Sequence, residues 1–297
     1  MKREIREKFY RILLLSSAFV ALLVIILIAG FVFREGLPIF SKYGLFNVLF
    51  GTEWHPQDKV YGLLPMIVGT ICVTIGALVV GVPLGLLTAI FLAELAPKKL
   101  VTMLIRPAIE LLAGIPSVVY GLFGMTTIVP FIRNTARSIP SIAEQPALSS
   151  GYGIIAGSII LSIMILPTVI NVSEDALRSV PLEYKEGSFA LGATHWQTIY
   201  KVIVPAAKSG ILAAIVLGMG RAMGETMAII MVAGNAAIIP ESILSTIRSL
   251  TGNIAIEMAY SSGEHTQALF ATGIVLFIFT MLINSFAMFL AKKEVKS

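Results

Sequence analysis

Long apolar segments recur along this chain, separated by shorter stretches that carry most of its charges. A bilayer core about 30 Å thick needs roughly 20 apolar residues per helix. Segments of that length predict an all-α, polytopic membrane protein with six transmembrane helices. The predicted spans are residues 12–33, 63–92, 107–132, 153–172, 210–233 and 267–291.

The composition agrees with a membrane protein. Of the 297 residues, 57% are hydrophobic and only 13% are charged, and the mean hydropathy is +0.89. A soluble domain carries about 25% charged residues, so the composition excludes a cytosolic enzyme and a disordered chain. The single cysteine, Cys72, can form no intrachain disulfide, which excludes a disulfide scaffold.

The basic residues predict the orientation. Of the 22 Lys and Arg residues, 15 lie in the two termini and in the 94–106 and 173–209 loops, and these four segments share one side when the spans alternate. By the positive-inside rule, that side is cytoplasmic. We therefore predict a cytoplasmic N-terminus (1–11), a permease domain (12–291) and a cytoplasmic tail (292–297). The net charge of +5 then needs no nucleic-acid partner.

The loop at 34–59 is the more apolar of the longer external loops. Its density of Leu, Ile, Val and Phe predicts an amphipathic helix lying on the outer membrane interface. Such a surface can cap the helix bundle or contact a partner, and the pattern leaves both open.

The cytoplasmic loop 173–209 predicts two short helices. Pro181 can begin a helix over 182–191, and Gly192 suits the left-handed residue that ends one. Thr194 and Gln197 have the spacing of a capping box.

The second helix carries Trp196, Ile199 and Ile203 on one predicted apolar stripe, and Pro205 is predicted to end it. The loop either docks another protein or folds onto the underside of its own bundle.

This loop also resembles a known motif. Glu186-Gly187-Ser188, then Gly192, then Pro205 stand at the separations of the EAA loop of ABC-importer permeases. Gly187 and Ser188 replace the two alanines of that motif.

Further segments resemble phosphate-transport permeases of the PstC type, from about residue 12 to the C-terminus. The segments are Gly51-Thr-Glu-Trp54, Tyr61-Gly-Leu-Leu-Pro65, Leu92-Ala-Glu-Leu-Ala-Pro97, Glu110-Leu-Leu-Ala-Gly-Ile-Pro-Ser-Val-Val-Tyr-Gly121 and Gly218-Met-Gly-Arg-Ala-Met-Gly-Glu-Thr-Met-Ala228.

The resemblance implies the fold of a type I ABC-importer permease. It also implies a multi-pass protein of the prokaryotic inner membrane that forms half of a phosphate path. The implied partners are an ATPase subunit dimer, a second and different permease subunit, and an external phosphate-binding protein. The 182–205 loop would dock the ATPase, through Glu186, Gly187, Ser188, Gly192, Trp196, Ile199 and Pro205. No P-loop motif occurs in the chain, so ATP and Mg would be bound by the partner ATPase.

Two charges lie within the fifth predicted span. A charge near the bilayer centre is costly, and the i, i+4 spacing of Arg221 and Glu225 puts both on one helical face. They form either a buried ion pair that fixes packing or, as the resemblance favours, a substrate site in which Arg221 contacts phosphate. Gly220 and Gly224 beside them form a G-x-x-x-G pattern, which favours close helix packing over exposed backbone.

Secondary candidates lie in the third predicted span. Glu110 stands one turn after Arg106, which predicts an interfacial salt bridge, and Pro116 predicts a kink. The three histidines share no metal-ligand spacing, so no metal site is predicted.

Several alternatives stay open. The chain could be the sister phosphate permease or a permease for sulfate or molybdate. Outside transport, it could be an intramembrane enzyme using Glu110, Arg221 and Glu225, or a scaffold.

Overall fold

The computed structural model describes residues 2–97, 99, 101–146 and 148–294. Lys98 of the predicted 94–106 loop, and residues 1 and 295–297 of the predicted termini, lie outside the described residues.

The described chain is almost entirely helical. In its first half the helices are α1 (Lys2–Tyr43), α2 (Leu45–Phe50), α3 (Leu64–Ile90), α4 (Arg106–Gly114), α5 (Ser117–Phe123), α6 (Val129–Arg137) and α7 (Pro140–Ala143). In its second half they are α8 (Ile154–Arg178), α9 (Leu182–Ala190), α10 (His195–Thr198), α11 (Val204–Ala206), α12 (Lys208–Gly224), α13 (Met227–Val232), α14 (Leu250–Glu257) and α15 (Glu264–Glu294). Turns of π-helix occupy Phe91–Leu95, Val101–Ile105, Gly124–Ile128 and Ile199–Ile203. A short antiparallel hairpin joins β1 (Trp54–His55) to β2 (Val60–Tyr61).

Four helical stretches are long and apolar enough to cross a membrane. They run over Glu7–Tyr43, Leu64–Leu95, Ile154–Arg178 and Glu264–Ser285. Two further pairs of helices reach that length only when each bent pair is taken together. Met103–Gly114 and Ser117–Arg137 meet at 94°, and His195–Ala206 and Lys208–Gly224 meet at 68°. By length and composition, the described residues thus provide four candidate spans, or up to six if each bent pair is one span.

The predicted spans differ from the helices in two places. Residues 107–132 and 210–233 were expected to be continuous, but the first is interrupted at Ile115-Pro116 and the second at Glu225-Thr226. A proline after Ile115 disfavours helical backbone there. In addition, α8 continues to Arg178, so the loop predicted to begin at 173 begins after that residue.

The main core lies between α3 and α8. These helices pack along their lengths, and Ile160, Leu161 and Ile165 of α8 are completely buried between α3 and the broken segments. Such a core holds the third and fifth segments against one rigid pair of helices. By contrast, α1 is exposed within this chain over most of residues 7–31 and packs on α15 further along.

The segment predicted to be an amphipathic interface helix caps one end of the bundle. α1 continues through the first part of this segment to Tyr43, and α2 then forms a separate short helix. Ile39 and Val48 are buried in a cluster with Leu63 and Leu269. Part of the segment thus caps the bundle, while Phe46 and Phe50 remain exposed, so contact with a partner stays open as well. We call this the hairpin end of the bundle and the opposite one, which carries α9 and α10, the α9 end.

Candidate functional site

The turn between α9 and α10 has the geometry that the sequence predicts. Pro181 is the N-cap residue of α9, and Gly192 follows its end with φ +82°. Gln197 N–H donates to the Thr194 hydroxyl at 3.3 Å, and Thr194 N–H donates to Gln197 Oε1 at 2.9 Å. These two bonds complete the predicted capping box at the start of α10.

The apolar stripe predicted on the second helix is divided between two environments. Ile199 and Ile203 are buried against Leu177 and Ala89, but Trp196 is 62% exposed. The π turn at Ile199–Ile203 changes the helical repeat, so the predicted single face does not form. The helix also ends at Ala206, one residue beyond Pro205, before the 68° bend.

Large apolar side chains cover the exposed surface of α9, α10 and the turn between them. Leu191, at the turn, is 91% exposed. We define the docking surface as the exposed side chains of Leu182, Tyr184, Phe189, Leu191, Trp196 and Tyr200. Exposed large apolar side chains concentrated on one short segment are typical of a site of interaction with another protein or a membrane. Glu186 and Gly187 are exposed on the same helix, while Ser188 is tied to the Thr198 hydroxyl at 2.9 Å.

The break in the third segment is held by one hydrogen bond. Pro116 is the extended N-cap residue of α5. The Tyr120 hydroxyl donates to the Leu112 carbonyl oxygen at 2.6 Å, across the 94° bend. Leu112 lies in the last turn of α4, and its carbonyl oxygen also accepts from Ile115 N–H at 3.4 Å.

The break in the fifth segment separates the two charges that were predicted to share a face. α12 ends at Gly224, and Glu225 has extended backbone with ψ 134°. The Glu225 carboxylate accepts a hydrogen bond from Ala228 N–H at 3.1 Å, at the start of α13. The predicted i, i+4 arrangement of Arg221 and Glu225 is therefore wrong, because Glu225 instead satisfies one of the free N–H groups of a new helix.

Arg221 lies exposed in the last turn of α12. Tyr120 is near enough for the guanidinium charge to act on its phenol. Among the described residues, Arg221 has no hydrogen-bond or ion-pair partner. Its donors are thus available to a ligand or to another chain.

The two glycines beside Arg221 make no close helix contact within this chain. A Cβ at Gly220 or Gly224 would meet no described atom within 4 Å. The predicted close packing through this pair is wrong within the described chain, since Gly218 makes the contact instead, against Val169. Both glycines lie on an open surface next to Arg221.

The helices that follow the two breaks pack on each other. A Cβ at Gly121 of α5 would lie 2.6 Å from the Met231 sulfur and 3.1 Å from the Ala228 Cα on α13. Glycine is needed there because any side chain would push the two helices apart. The two breaks, Tyr120 and Arg221 thus belong to one region.

Glu110 is exposed on α4 and does not pair with Arg106 in the described chain. The predicted Arg106–Glu110 salt bridge is wrong, because Arg106 Nη2 lies 3.1 Å from Oε1 of the buried Glu174 on α8. Within the described residues, no group of three or more His, Cys, Asp and Glu could hold a metal ion.

Two clusters of ion-paired side chains in the described chain were not predicted from the sequence. One, at the α9 end, is built on Glu174, which pairs with Arg106 across 68 residues and with Arg178 four residues later, and on Glu94, which pairs with Lys185 across 91 residues. The i, i+4 spacing of Glu174 and Arg178 was a local sequence signal for part of this cluster.

The other cluster, at the hairpin end, centres on Glu257. Trp54 Nε1 donates to this carboxylate at 2.9 Å, Arg248 Nη1 donates at 2.6 Å, and His265 Nε2 lies at 2.8 Å. Burial raises the pKa of the nearby Tyr260 phenol above its ordinary value, and the Glu257 charge raises it further. Tyr260 therefore stays neutral at physiological pH.

Solved structures with the same helical arrangement identify the fold. A chain of a bacterial alginate ABC transporter, crystallised with an alginate pentasaccharide-bound periplasmic protein, has a TM-score of 0.63 at 17% identity, and the match covers 98% of each chain. A chain of the inward-facing MetNI methionine ABC transporter has a TM-score of 0.56 at 18% identity, covering 82% of this chain and 99% of that one. The chain has the predicted all-α fold of a type I ABC-importer permease.

The family follows from sequence. Residues 81–295 match the model described as "Binding-protein-dependent transport system inner membrane component", and the chain belongs to this family. It is 40% identical to the probable ABC transporter permease protein YqgH of Bacillus subtilis, over 95% of this chain and 91% of that one. It is 37% identical to the phosphate transport system permease protein PstC of Pasteurella multocida, over 94% and 90% of the two chains. PstC of Haemophilus influenzae is 36% identical over 90% and 88%. The chain is therefore a multi-pass membrane protein of this inner-membrane transport family.

Proposed function

We propose that this chain is one of two permease subunits of an ATP-driven phosphate importer. The observation that carries the proposal is the likeness, over about nine tenths of the chain, to relatives named as phosphate transport system permeases. The broken helices and the exposed arginine between them are consistent with a path for an anion.

In this proposal Arg221 contacts phosphate. Guanidinium groups bind oxyanions through paired, charge-assisted hydrogen bonds, and this one has no partner in the described chain. Gly220 and Gly224 leave the neighbouring surface open. Glu225 supports the site by beginning α13, and Pro116 supports it by shaping the break opposite. Because Arg221 lies on an open surface, the second permease subunit, a different chain, supplies the other wall of the path.

The docking surface receives the ATPase dimer, which binds ATP and Mg. Glu186, Gly187 and Gly192 shape the α9 side of the contact, with Ser188 and Ile199 holding α9 and α10 together. The α9 end and both termini are then cytoplasmic, in keeping with the basic residues at this end. An external phosphate-binding protein delivers substrate at the hairpin end.

Reconstitution tests the proposal. The chain is co-purified with its partner subunits, placed in liposomes with a phosphate-binding protein, and assayed for ATP-dependent phosphate uptake. Arg221→Gln is expected to assemble normally and to lower uptake at least about tenfold, the value of one charge-assisted hydrogen bond. Arg137→Gln, an exposed arginine at the end of α6, is the matched control and should transport normally.

Three outcomes would contradict parts of this proposal. Uptake of sulfate or molybdate in place of phosphate would overturn the substrate. Normal phosphate uptake by Arg221→Gln would overturn the role of that arginine. Misassembly of Arg221→Gln, with normal assembly of the control, would make Arg221 a packing residue.

A further inference from the structure

Glu174 joins two helices at the α9 end of the bundle. Its side chain is only 2% exposed, and Oε1 accepts from Arg106 Nη2 at 3.1 Å and from Arg178 Nε at 2.7 Å. A buried carboxylate is strongly unfavourable without its partners. The cluster therefore fixes Arg106, the first residue of α4, to the end of α8.

The same cluster reaches α3 and α9. Arg178 Nη2 also donates to the Leu92 carbonyl oxygen at 2.8 Å. Glu94 lies two residues after Leu92. Its carboxylate accepts from Lys185 Nζ of α9 at 2.7 and 2.9 Å, and its side chain is 4% exposed. Two groups of polar contacts thus meet at the π turn Phe91–Leu95, which follows α3. One joins Glu94 to α9, and the other joins the Leu92 carbonyl group to the end of α8 and to α4. We call these contacts together the ionic link.

The ionic link includes helical turns of unusual geometry. Leu92 and Glu94 lie in the π turn Phe91–Leu95, and the π turn Val101–Ile105 directly precedes Arg106. π turns are rare in helices and are concentrated at functional sites.

At its other end the ionic link leads towards Arg221. α4 begins at Arg106 and, about 9 Å further along its axis, reaches Leu112. The Leu112 carbonyl group accepts the hydrogen bond from Tyr120, which lies near Arg221. A movement of α4 is thereby passed to the break in the third segment.

We propose that Glu174 is the positioning residue through which movement of α9 reaches α4 and the break beside Arg221. The inference rests on the proposed function, because it takes α9 to be the helix that the ATPase moves. Neutralising Glu174 releases Arg106 and leaves the docking surface unchanged. ATP hydrolysis then continues without moving the substrate path.

Glu174→Gln in the assembled importer tests this role. The ATPase is expected to co-purify and to hydrolyse ATP as in the unmodified importer. The phosphate transported per ATP hydrolysed should fall at least about fivefold, the lower end of typical coupling between sites. Asp175→Asn is the matched control, because Asp175 is the adjacent exposed acid on α8 and its carboxylate has no described partner. An unchanged ratio in Glu174→Gln would overturn the inference.

A second readout does not depend on the identity of the substrate. Spin labels are attached at Glu183→Cys on α9 and at the 74% exposed Leu111→Cys on α4, in a Cys72→Ser background. ATP should change the distance between the labels, and Glu174→Gln should abolish that change. If the importer moves no phosphate but Glu174→Gln still abolishes the ATP-dependent change in label distance, the ionic link is supported and only the proposed substrate is refuted. If ATP changes the label distance in Glu174→Gln as much as in the unmodified importer, the ionic link is refuted.

A further variant covers the case in which Glu174→Gln does not assemble. Glu94→Gln with Lys185→Gln replaces the other ion pair by a neutral pair that can still form a hydrogen bond. The double variant is expected to lose the same distance change and the same transport per ATP. Retention of both would overturn the inference.

Discussion

The Tyr120 hydroxyl donates a hydrogen bond to the Leu112 carbonyl oxygen across the 94° bend of the third segment, at a distance of 2.6 Å. Tyr120 is buried, and the carbonyl group belongs to the last turn of α4, where it also accepts from Ile115 N–H at 3.4 Å. The bond from Tyr120 joins two helices that Pro116 separates.

Tyr120→Phe should weaken this connection. The substitution keeps the ring and removes one of the two hydrogen bonds that the Leu112 carbonyl oxygen accepts, the other coming from Ile115 N–H at 3.4 Å, so it should cost about 1 kcal/mol of stability. We expect a lower midpoint of thermal unfolding for the purified importer and a lower rate of uptake. Tyr10→Phe is the control, because the exposed Tyr10 hydroxyl has no described hydrogen bond. Equal unfolding midpoints for the two variants would show that the bond contributes nothing.

Replacement of Glu225 by glutamine should be tolerated better than its replacement by alanine. Its carboxylate accepts from Ala228 N–H, and a glutamine carbonyl oxygen can accept the same bond. We expect Glu225→Gln to keep most of the uptake, while Glu225→Ala loses about 1 kcal/mol of stability together with the start of α13. Uptake and thermal unfolding are measured on both variants. If both lose uptake equally at normal stability, the charge itself is required and capping is not the role of Glu225.

Local signals explain what could be predicted from the sequence. Pro181, Gly192 and the Thr194–Gln197 pair act within about one helical turn, so their spacing determines their contacts. The apolar helices α3, α8 and α15 follow from length and hydropathy in the same way. These features lie where the patterns predict them.

The remaining features depend on contacts between distant residues. Arg106 has an acid four residues away in Glu110, yet it pairs with Glu174, 68 residues further along. Likewise, helical spacing assigns Arg221 and Glu225 to one face only if the helix continues, and it ends at Gly224. Tertiary packing decides both outcomes, and no local pattern contains that information.

Gly192 and Gly187 provide a matched pair of substitutions. A Cβ at either position meets no described atom within 4 Å, but only Gly192 has positive φ, +82°. Gly192→Ala should cost about 1 kcal/mol through backbone strain and weaken ATPase association. Gly187→Ala lies within α9 and adds only one methyl group to the proposed contact, so it should be neutral or stabilising by up to about 1 kcal/mol in unfolding and should lower ATPase association less than Gly192→Ala does. Co-purified ATPase per permease is the measurement, and equal losses in both variants would contradict the conformational explanation.

Leu191 should contribute most to the docking surface, because it is the most exposed of its large side chains. Leu191→Ser is expected to weaken ATPase binding by about 2 kcal/mol, or roughly 30-fold, since the contact would bury a whole leucine side chain. Leu37→Ser, an exposed leucine towards the hairpin end, is the control. A titration of the ATPase against the permease in nanodiscs gives both affinities. Unchanged affinity for Leu191→Ser would remove this surface from the interface.

The Glu257 cluster should be the strongest polar contribution to stability at the hairpin end. Arg248→Gln leaves a buried carboxylate without its cation, which should cost about 3 kcal/mol in thermal or denaturant unfolding. Adding Glu257→Gln removes the uncompensated charge and keeps an acceptor for Trp54, so the double variant should recover most of the loss. Lys42→Gln breaks the more exposed pair with Glu264 at the same end and should cost much less than Arg248→Gln. If the double variant is as unstable as Arg248→Gln, burial of the unpaired Glu257 charge is not the cause of the loss.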